Sequence, residues 1–404
     1  MDQEVFICAA ARTPIGRYGG ALATVRPDDM AAHVISAVIQ RSGAQLDPAA
    51  IDEVIFGCAN QAGEDNRNVA RMGLLIAGLP ETVPGVTMNR LCASGLDAVA
   101  AGARQIRCGE AQLLIVGGTE SMTRAPYVMG KSGAAFGRDA RLEDTTLGWR
   151  FINPRLRERC GVDTMAETAE NVAQQFAVTR AAQDAYALQS QQRFAAARAA
   201  GFFDTEIAPI DVPGERGRGT RSVAQDEHPR PDTTLVALAG LKPVVRSGGS
   251  VTAGNSSGIN DGAAALVLAS AAAVKRFGLT PRARILGSQS AGVPPRIMGI
   301  GPVTACQKLL ARLNLGIADL SAIEVNEAFA AQVLAVLQGL GVAADDPRVN
   351  PNGGAIAIGH PLGASGARLV LTSVNQLQRG GARYAMASMC VGVGQGVAMM
   401  IERV

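Results

Sequence analysis

The sequence predicts an α/β protein made of two related halves, and two observations carry this prediction. The five residues LCASG at 91–95 return as LGASG at 362–366, an offset of 271 residues with four identities in five. At both places a glycine-rich turn opens a helical pattern of about three to four turns, and a glycine and an apolar strand follow. Strands and helices that alternate in this way form a sheet covered by helices.

A weaker repeat extends this pattern upstream. Residues 51–57 (IDEVIFG) match 320–326 (LSAIEVN) at an offset of 269, and both are predicted to be short apolar strands. The first half is predicted to occupy 1–272 and the second half 280–404.

The segment at 121–249 differs in character, because charged residues and prolines become frequent and clear sheet strands become scarce. The spacing of Thr164 and Glu167 is that of a capping box and predicts the start of a helix. Thr179–Ala200 is predicted to be a second helix, which Gly201 ends. We interpret this segment as a loop domain inserted into the first half.

The composition fits a large folded protein and excludes several classes. The 404 residues are 48% hydrophobic and 18% charged, which allows a large core and argues against disorder. The net charge of +3, without a basic stripe that carries interleaved aromatics, argues against a nucleic-acid partner. The apolar run Tyr384–Ile401 is long enough for a membrane span, but its glycines predict two strands with a tight turn. No membrane partner is therefore expected.

The seven cysteines are widely spaced, odd in number and free of any CxxC pair. Neither a disulfide framework nor a metal site is expected from such a pattern. Free thiols fit a reducing cytoplasm, and the acidic start Met1–Glu4 lacks the basic region of a signal peptide. The protein is therefore expected in the cytoplasm.

Cys92 is the first candidate for chemistry. It directly precedes the predicted helix that begins near Gly95. A helix N-terminus carries partial positive charge and free N–H donors, which lower the pKa of a thiol and favour a nucleophilic thiolate. The alternative is a small buried apolar residue, which is what most cysteines are.

His360 is one of only three histidines and lies in GGAIAIGHPLG at 353–363, where an apolar strand is predicted to lead into a helix. This is a common position for active-site residues in α/β folds. The repeat offset places His360 at Asn89, three residues before Cys92. Two pseudo-symmetric halves would therefore bring a Cys–His pair together. The alternative is a histidine that is packed or hydrogen-bonded for structural reasons.

Two further segments offer groups for the same chemistry. Cys390 follows an apolar strand and precedes VGVGQG at 391–396, whose backbone N–H groups could bind an oxyanion. A plain hairpin turn is the alternative. Asn326 follows the strand at 323–325, where its amide could orient a water, polarise a carbonyl or cap a helix.

Taken together, five segments resemble the thiolase family, and the resemblance runs from Val5 to Val404. Each segment is weak alone, but five in the right order are highly specific. They are NRLCASGLDA at 89–98, TAGNSSGINDGAA at 252–264, NEAFA at 326–330, NPNGGAIAIGHPLGASGAR at 350–368 and CVGVGQG at 390–396. The resemblance implies a layered α-β-α-β-α fold of two pseudo-symmetric halves. It also implies an enzyme that makes or breaks a carbon–carbon bond beside a coenzyme A thioester.

The resemblance implies a role for each reactive residue. Cys92 would be acylated, and His360 would be the base that activates it. Cys390 would protonate the departing enolate and deprotonate the incoming thiol. Asn326 would hold a water that forms one oxyanion hole with His360, and the N–H groups of Cys92 and Gly392 would form the second.

Coenzyme A is the expected co-substrate, and acyl-CoA thioesters are the expected partners. The resemblance implies contacts to the coenzyme from Ser257, Arg230, Met165 and Phe329, with Met298 as another residue of the pocket. It also implies a homotetramer built from two dimers.

Four segments resemble the 3-oxoadipyl-CoA (β-ketoadipyl-CoA) branch of the family, which yields succinyl-CoA and acetyl-CoA at the end of aromatic-compound breakdown. They are RYGGAL at 17–22, GCANQAGEDNRNVARMG at 57–73, RAPYVMGKS at 124–132 and TTLGWRFINP at 145–154. The substrate of this branch carries a distal carboxylate, which an arginine can bind with two hydrogen bonds. Candidates for this contact are Arg67, Arg124 and Arg150.

Four alternatives remain at this point, and one of them is a 3-ketoacyl-CoA thiolase of broad specificity. An acetoacetyl-CoA thiolase is disfavoured, because Thr164 stands where such enzymes often have histidine and Val245 where an aromatic residue is common. A decarboxylating ketosynthase is disfavoured by Asn326, where those relatives usually place histidine. A non-catalytic acyl-CoA-binding scaffold would not need a matched nucleophile and acid–base set.

Overall fold

The computed structural model describes residues 3–214 and 219–404. Its strands are β1 (Phe6–Arg12), β2 (Gly16–Arg17), β3 (Glu53–Gly57), β4 (Gly85–Met88), β5 (Leu113–Ser121), β6 (Tyr127–Met129), β7 (Leu142–Asp144), β8 (Ile210–Pro213), β9 (Thr220–Val223), β10 (Asn260–Ala269), β11 (Ala283–Gly292), β12 (Ala322–Val325), β13 (Tyr384–Val391) and β14 (Gln395–Arg403).

The α-helices are α1 (Pro27–Arg41), α2 (Val69–Ile76), α3 (Ser94–Cys108), α4 (Pro154–Cys160), α5 (Met165–Gln175), α6 (Arg180–Ala199), α7 (Leu235–Ala239), α8 (Ala271–Phe277), α9 (Gly301–Leu313), α10 (Ala330–Leu340), α11 (Ala355–Ile358) and α12 (Leu362–Gly380). Short 3-10 helices lie at Pro48–Ala50, Phe203–Thr205, Pro295–Ile300 and Ile317–Asp319.

The main sheet has a mirrored strand order. Its path runs β12-β13-β14-β11-β1-β10-β5-β3-β4, and β2 pairs with β10. In each half a parallel pair, β3 with β5 and β12 with β13, continues into two antiparallel pairs. Glu53 faces Leu114 in the first half, and Ala322 faces Ala385 in the second, at the repeat offsets of 269 and 271. The prediction of two pseudo-symmetric α/β halves is confirmed.

Helices and the two halves of the sheet form alternating layers. Helices α3 and α12 share one apolar cluster with strands of both halves, so they form the central layer. Helices α1, α2 and α8 cover the outer face of the first half. Helices α9 and α10 cover the outer face of the second half. Apolar surface is therefore buried on both sides of each half of the main sheet, and this burial is the main stabilising term of the fold.

The two central helices approach closely at glycines of the repeat. A Cβ atom on Gly95 would lie 2.4 Å from the carbonyl oxygen of Gly363, and one on Gly366 would lie 2.3 Å from the backbone nitrogen of Leu96. Gly95 and Gly366 are related by the offset of 271. Cys92 directly precedes α3 and His360 directly precedes α12, so this close approach brings the two helix starts to the same place.

The segment between β5 and β10 contains two small hairpins and helices α4–α7. Helix α5 begins at the predicted capping box of Thr164 and Glu167, and α6 begins after Thr179, whose side chain accepts the N–H of Ala182. A buried ion network fixes the segment to β1. Arg12 donates two hydrogen bonds to Asp226, at 2.7 and 2.9 Å, and one to Glu206 at 2.8 Å.

One predicted element is wrong. The apolar run before His360 was predicted to be a strand, but Ala355–Ile358 forms a short helix. The backbone N–H groups of Ala357 and Ile358 bond to the carbonyl of Gly354 at 3.0 and 2.9 Å. All four residues of the run are buried, so their hydrophobicity has no periodicity that could distinguish a strand from a helix.

The apolar run Tyr384–Ile401 forms β13 and β14, joined by a tight turn, as predicted. Among the described residues, no helix has both the length and the apolar character that crossing a membrane requires.

Candidate active site

A cavity of about 460 Å³ opens where the starts of α3 and α12 meet the β13–β14 turn. Its wall contains Cys92, His360, Cys390 and Gly392 together. These residues are far apart in the sequence, and the two halves of the fold each contribute to the set. Most of the wall is apolar, which favours the burial of an acyl chain and strengthens electrostatic interactions at the few polar groups.

Cys92 lies in a strained turn between β4 and α3. Leu91 has a φ of 47°, a left-handed conformation that is uncommon for a residue other than glycine. The thiol of Cys92 lines the cavity. The backbone N–H groups of Gly392 and of Cys92 itself lie near this sulphur and lower the pKa of the thiol. Backbone N–H groups beside a reactive sulphur are a chemically suitable place to bind the oxygen of an acyl group.

The expectation that the helix N-terminus lowers the pKa of Cys92 is not met. Burial raises the pKa of the thiol from 9.0 to about 11, although the two N–H donors act in the opposite direction. The residue keeps some accessible surface and lines the mostly apolar cavity, where a thiolate would be poorly solvated. Desolvation outweighs the helix terminus, and the resting thiol is neutral.

His360 is 4% exposed and is fixed by hydrogen bonds on three sides. Its backbone N–H donates to Asn260 at 2.9 Å, and its ring atom Nδ1 lies 2.6 Å from the hydroxyl oxygen of Ser365. Ser365 in turn donates to the carbonyl of Pro361 at 2.8 Å. Because the serine hydroxyl has one proton, this arrangement assigns the ring proton to Nδ1 and leaves Nε2 as the free base.

Burial, and then the positive charge of Arg368, lower the pKa of His360 from 6.5 to about 3. The imidazole is therefore neutral at physiological pH. A neutral ring with an unprotonated Nε2 can accept a proton from a thiol, and the resting enzyme has no imidazolium to stabilise a thiolate.

Asn326 lies behind His360 and is completely buried. Its Nδ2 atom donates to Nε2 of His360 at 3.3 Å, while its Oδ1 atom has no hydrogen-bond partner among the residues that the structure describes. A buried amide oxygen without a partner is costly unless a water or a reacting group completes the site. The amide is thus placed where it can share a ligand atom with His360.

Cys390 is 1% exposed and is the last residue but one of β13. Burial, followed by the nearby Cys92, raises the pKa of its thiol well above the usual range. A neutral thiol of this kind can donate a proton to a carbanion. The next turn contains Val393 at a φ of 62°, so the N–H of Gly392 is presented by a second strained backbone segment.

Four of the five residues predicted to contact coenzyme A line the same cavity, and they are Ser257, Met165, Met298 and Phe329. Met298 packs with Cys390 and Ala328, and both Met165 and Phe329 pack against that cluster. Arg230 does not line the cavity. It is exposed on the inserted segment, where its backbone N–H donates to Gln191 at 2.9 Å.

Sequence reasoning missed the residues that hold the site in place. Ser365 was not singled out, although it is the repeat partner of Ser94, which accepts the N–H of Arg90 at 2.9 Å. The repeat could have identified Ser365 as a residue that supports the site. Asn260 had no comparable signal, because its contact with His360 joins two distant segments.

Two buried carboxylates were also missed. Glu327 accepts hydrogen bonds from Tyr186, Ser190, Asn350 and the N–H of Ile356, and so fixes the segment that carries Asn326. Glu120 accepts three backbone N–H groups, from Ala59, Asn60 and Gly363. Burial raises the pKa of Glu120 from 4.5 to about 7.

Cys58, Asp65 and Glu120 place their possible ligand atoms within 4.8 Å of one another. The thiol of Cys58 lies 3.4 Å from Asp65, and Glu120 is occupied by its three N–H donors. Internal hydrogen bonds therefore use the groups that a metal would need. All seven cysteines lie in the described part of the chain and are free thiols.

Comparison with known proteins identifies the family. Residues 5–272 match the model of the thiolase N-terminal domain, and residues 279–403 match that of the thiolase C-terminal domain. The β-ketoadipyl-CoA thiolase of Pseudomonas aeruginosa is 63% identical over 404 residues, with 100% of both chains covered.

Two solved structures have the same fold over the whole chain. The acetyl-CoA acetyltransferase of Bacillus anthracis is similar with a TM-score of 0.92 and 41% identity, covering 100% of this chain and 99% of that one. The human mitochondrial 3-ketoacyl-CoA thiolase in complex with CoA is similar with a TM-score of 0.91 and 42% identity, covering 100% and 98%. The chain described here belongs to the thiolase family.

Proposed function

We propose that this thiolase cleaves 3-oxoadipyl-CoA with coenzyme A to succinyl-CoA and acetyl-CoA, through a succinyl thioester on Cys92. The observation that carries the reaction class is the convergence of Cys92, His360 and Cys390 on one cavity, with two N–H donors at the sulphur of Cys92. The substrate is supported by the 63% identity to a β-ketoadipyl-CoA thiolase over the full length of both chains.

In the first half-reaction, Nε2 of His360 takes the proton of the Cys92 thiol as the sulphur attacks C3 of the substrate. The negative charge that develops on the C3 oxygen is stabilised by the N–H groups of Cys92 and Gly392. The C2–C3 bond then breaks. The resulting acetyl-CoA enolate takes the proton of the Cys390 thiol, and acetyl-CoA leaves.

The enolate oxygen needs its own stabilisation while the C2–C3 bond breaks. The proposed site is the second oxyanion hole, formed by His360 and a water held by Asn326. The partnerless Oδ1 atom of Asn326 and its contact with His360 support this role. Glu327 supports the site by fixing the backbone next to Asn326.

In the second half-reaction, the thiolate of Cys390 takes the proton of coenzyme A. The coenzyme sulphur attacks the succinyl carbonyl, and the sulphur of Cys92 leaves. His360 then returns its proton to Cys92, so both thiols and the imidazole regain their starting states. Two half-reactions joined by a covalent intermediate give ping-pong kinetics.

Intact-protein mass spectrometry after brief exposure to 3-oxoadipyl-CoA, without free coenzyme A, tests this proposal. A succinyl adduct is expected on the wild-type protein and not on a Cys92→Ala control. An acetyl adduct seen only with acetoacetyl-CoA would move the protein to the short-chain branch of the family. Absence of an adduct with either thioester would remove the covalent mechanism.

We further propose that Met165, Ser257, Met298 and Phe329 contact the coenzyme within the cavity and that Arg230 contacts one of its phosphates outside. The first four residues line the cavity, while Arg230 is exposed and can neutralise phosphate charge in water. A substitution Arg230→Met is expected to raise the KM for coenzyme A more strongly at low salt than at high salt.

The same proposal includes a homotetramer of two dimers in the cytoplasm. An outer strand, β4, leaves one sheet edge unpaired among the described residues, and a pairing edge suits a dimer. Around the hairpin β6–β7, exposed apolar side chains suit a second contact. They are Tyr127, Met129, Phe136 and Leu142. Light scattering of the wild type and a Met129→Asp, Leu142→Asp variant tests the assembly, with dimers expected for the variant.

The chain is proposed to divide into 1–272 and 280–404, with 121–249 inserted into the first part. The linker between the halves lies between the end of α8, which follows β10, and the start of β11. The seven free thiols support a reducing compartment.

A further inference from the structure

The proposed substrate ends in a carboxylate that enters a mostly apolar cavity, so some group must receive its charge. A carboxylate moved out of water without a charged or hydrogen-bonding partner is strongly disfavoured. The following inference rests on the proposed function and concerns the residue that recognises this group.

The geometry of the acyl-enzyme limits where that residue lies. Attack at C3 leaves the carboxylate three carbon–carbon bonds from the carbon bound to Cys92. Three extended bonds span roughly 3.8 Å, as they do between consecutive Cα atoms. A hydrogen bond from a guanidinium nitrogen to a carboxylate oxygen adds about 2.8 Å. The recognising group must therefore belong to the wall of the cavity that contains Cys92.

The structure separates the three arginines that the sequence offered. Arg67 is exposed and does not line the cavity. Arg124 is engaged by Glu64, to which its Nε and Nη2 atoms donate at 2.5 and 2.6 Å, and its Nη1 atom donates to the carbonyl of Ala23 at 3.2 Å. Arg150 lines the cavity, and it is the only arginine or lysine among the described lining residues.

Arg150 is held in place but not neutralised. Its Nη2 atom donates to the backbone carbonyl of Asn60 at 3.1 Å. Within the described part of the chain, no carboxylate oxygen lies within 4.0 Å of its guanidinium nitrogens. Since a guanidinium has five N–H donors, most of its hydrogen-bonding capacity is available to a ligand.

The support for Arg150 extends to the nucleophile. The Nδ2 atom of Asn60 donates to the carbonyl and hydroxyl oxygens of Thr145, at 2.8 and 3.1 Å, which ties the segment of Arg150 to the loop at 58–62. Asn89 donates to the carbonyl of Ala59 at 3.0 Å, which ties the same loop to the turn before Cys92. Arg150 and the attacking sulphur are therefore positioned by one connected framework.

We propose that Arg150 is the specificity-determining residue of this thiolase and binds the distal carboxylate of the acyl chain with its guanidinium. The mostly apolar wall of the cavity then excludes water around the chain, while Arg150 selects a dicarboxylyl substrate over a neutral chain of equal length. Glu120, the acidic group of the same wall, has its oxygens occupied by backbone N–H groups.

The test compares thiolysis of 3-oxoadipyl-CoA with that of 3-oxohexanoyl-CoA, which has the same number of acyl carbons and no carboxylate. Arg150→Met is expected to lower kcat/KM for 3-oxoadipyl-CoA roughly 10- to 100-fold, the loss expected when a hydrogen bond to a charged group is removed. The value for 3-oxohexanoyl-CoA is expected to stay within about twofold, because that chain has no group for the guanidinium. Arg67→Met removes the same charge outside the cavity, and it is expected to leave both values unchanged.

Equal losses on both thioesters, or no loss on either, would overturn the assignment, since a purely structural arginine affects both substrates alike. If Arg150→Met does not fold, Arg150→Lys replaces it in the test. Lysine retains the charge but loses the two-pronged geometry, so the preference for 3-oxoadipyl-CoA is expected to fall, and an unchanged preference would overturn the assignment. A wild-type enzyme that prefers 3-oxohexanoyl-CoA would overturn the proposed substrate, and this inference with it, whatever the variants do.

Discussion

The reactivity of Cys92 in the free enzyme is expected to depend on pH as that of a buried, neutral thiol. Burial raises its pKa to about 11, and the pKa of His360 is lowered to about 3. Both groups are then uncharged between those limits. Only the thiolate reacts with an alkylating reagent, so the rate is expected to rise with pH until the medium approaches pH 11.

The magnitude follows from the thiolate fraction. At pH 8, a thiol with a pKa of about 11 is ionised in roughly one molecule in a thousand, whereas a free cysteine at about 8.5 is roughly one-quarter ionised. On this basis alone, Cys92 is expected to react at least about 100-fold more slowly than N-acetylcysteine at pH 8. Each further pH unit is expected to raise its rate about tenfold.

The assay is alkylation by iodoacetamide between pH 6 and pH 10, with the modified site quantified by peptide mass spectrometry. A His360→Gln variant serves as the matched control, because a neutral histidine should add little to the reactivity of the resting thiol. Its alkylation rate is expected to stay within a few-fold, while its acylation by substrate falls about 10²- to 10⁴-fold, as for loss of a general base.

A plateau with an inflection near neutral pH would contradict this reasoning. It would mean that Cys92 and His360 form a thiolate–imidazolium pair in the resting enzyme. In that case the helix N-terminus and the two N–H donors would outweigh burial, and His360→Gln would abolish the reactivity at neutral pH.

Three further substitutions test the supports of the site. Ser365→Ala leaves the Nδ1 proton of His360 without its acceptor. We therefore expect the free energy of unfolding, measured by denaturation, to fall by about 1–3 kcal/mol. We also expect kcat, measured by steady-state kinetics, to fall at least tenfold. Gly359 has a φ of 110°, and Gly359→Ala adds a Cβ atom 2.6 Å from the side chain of Asn260, which accepts the backbone N–H of His360. We therefore expect a lower melting temperature together with a lower kcat. An unchanged kcat would contradict the role of Asn260 in positioning His360. Cys390→Ser replaces the proposed acid with a weaker one, so we expect the succinyl adduct to form about 10²- to 10⁴-fold more slowly in rapid-quench mass spectrometry, while equal rates would remove the role.

The placement of Cys92 and His360 on one cavity could be predicted because it follows from the repeat. The offset of 271 places both residues before corresponding helices, and the same repeat contains the glycines at which those helices approach. Local sequence therefore contained the information that two distant residues line one cavity. The repeat does not relate most of the other residues of the site in this way.

The supports of the site could not be predicted, because they depend on contacts between segments without a shared pattern. Asn260 of β10 accepts the backbone N–H of His360. Glu327 accepts hydrogen bonds from Tyr186 and Ser190, which lie on α6 of the inserted segment. The state of Cys92 was predicted with the wrong sign for a related reason. A helix N-terminus is visible in the sequence, whereas the degree of desolvation depends on what covers the thiol from the other half of the chain.

The raised pKa of Cys92 and the lowered pKa of His360 suit the proposed reaction better than a resting ion pair would. A permanent thiolate would already be stabilised before the substrate binds, and that stabilisation would be lost as its charge moves to the C3 oxygen. In the reaction proposed here the charge forms only as the sulphur attacks, and the N–H groups of Cys92 and Gly392 would stabilise it on the C3 oxygen. The strain at Leu91 and Val393 is consistent with this arrangement, because it fixes those donors before the reaction starts. The same neutrality protects the free enzyme, since a thiol that ionises only during attack reacts slowly with other electrophiles.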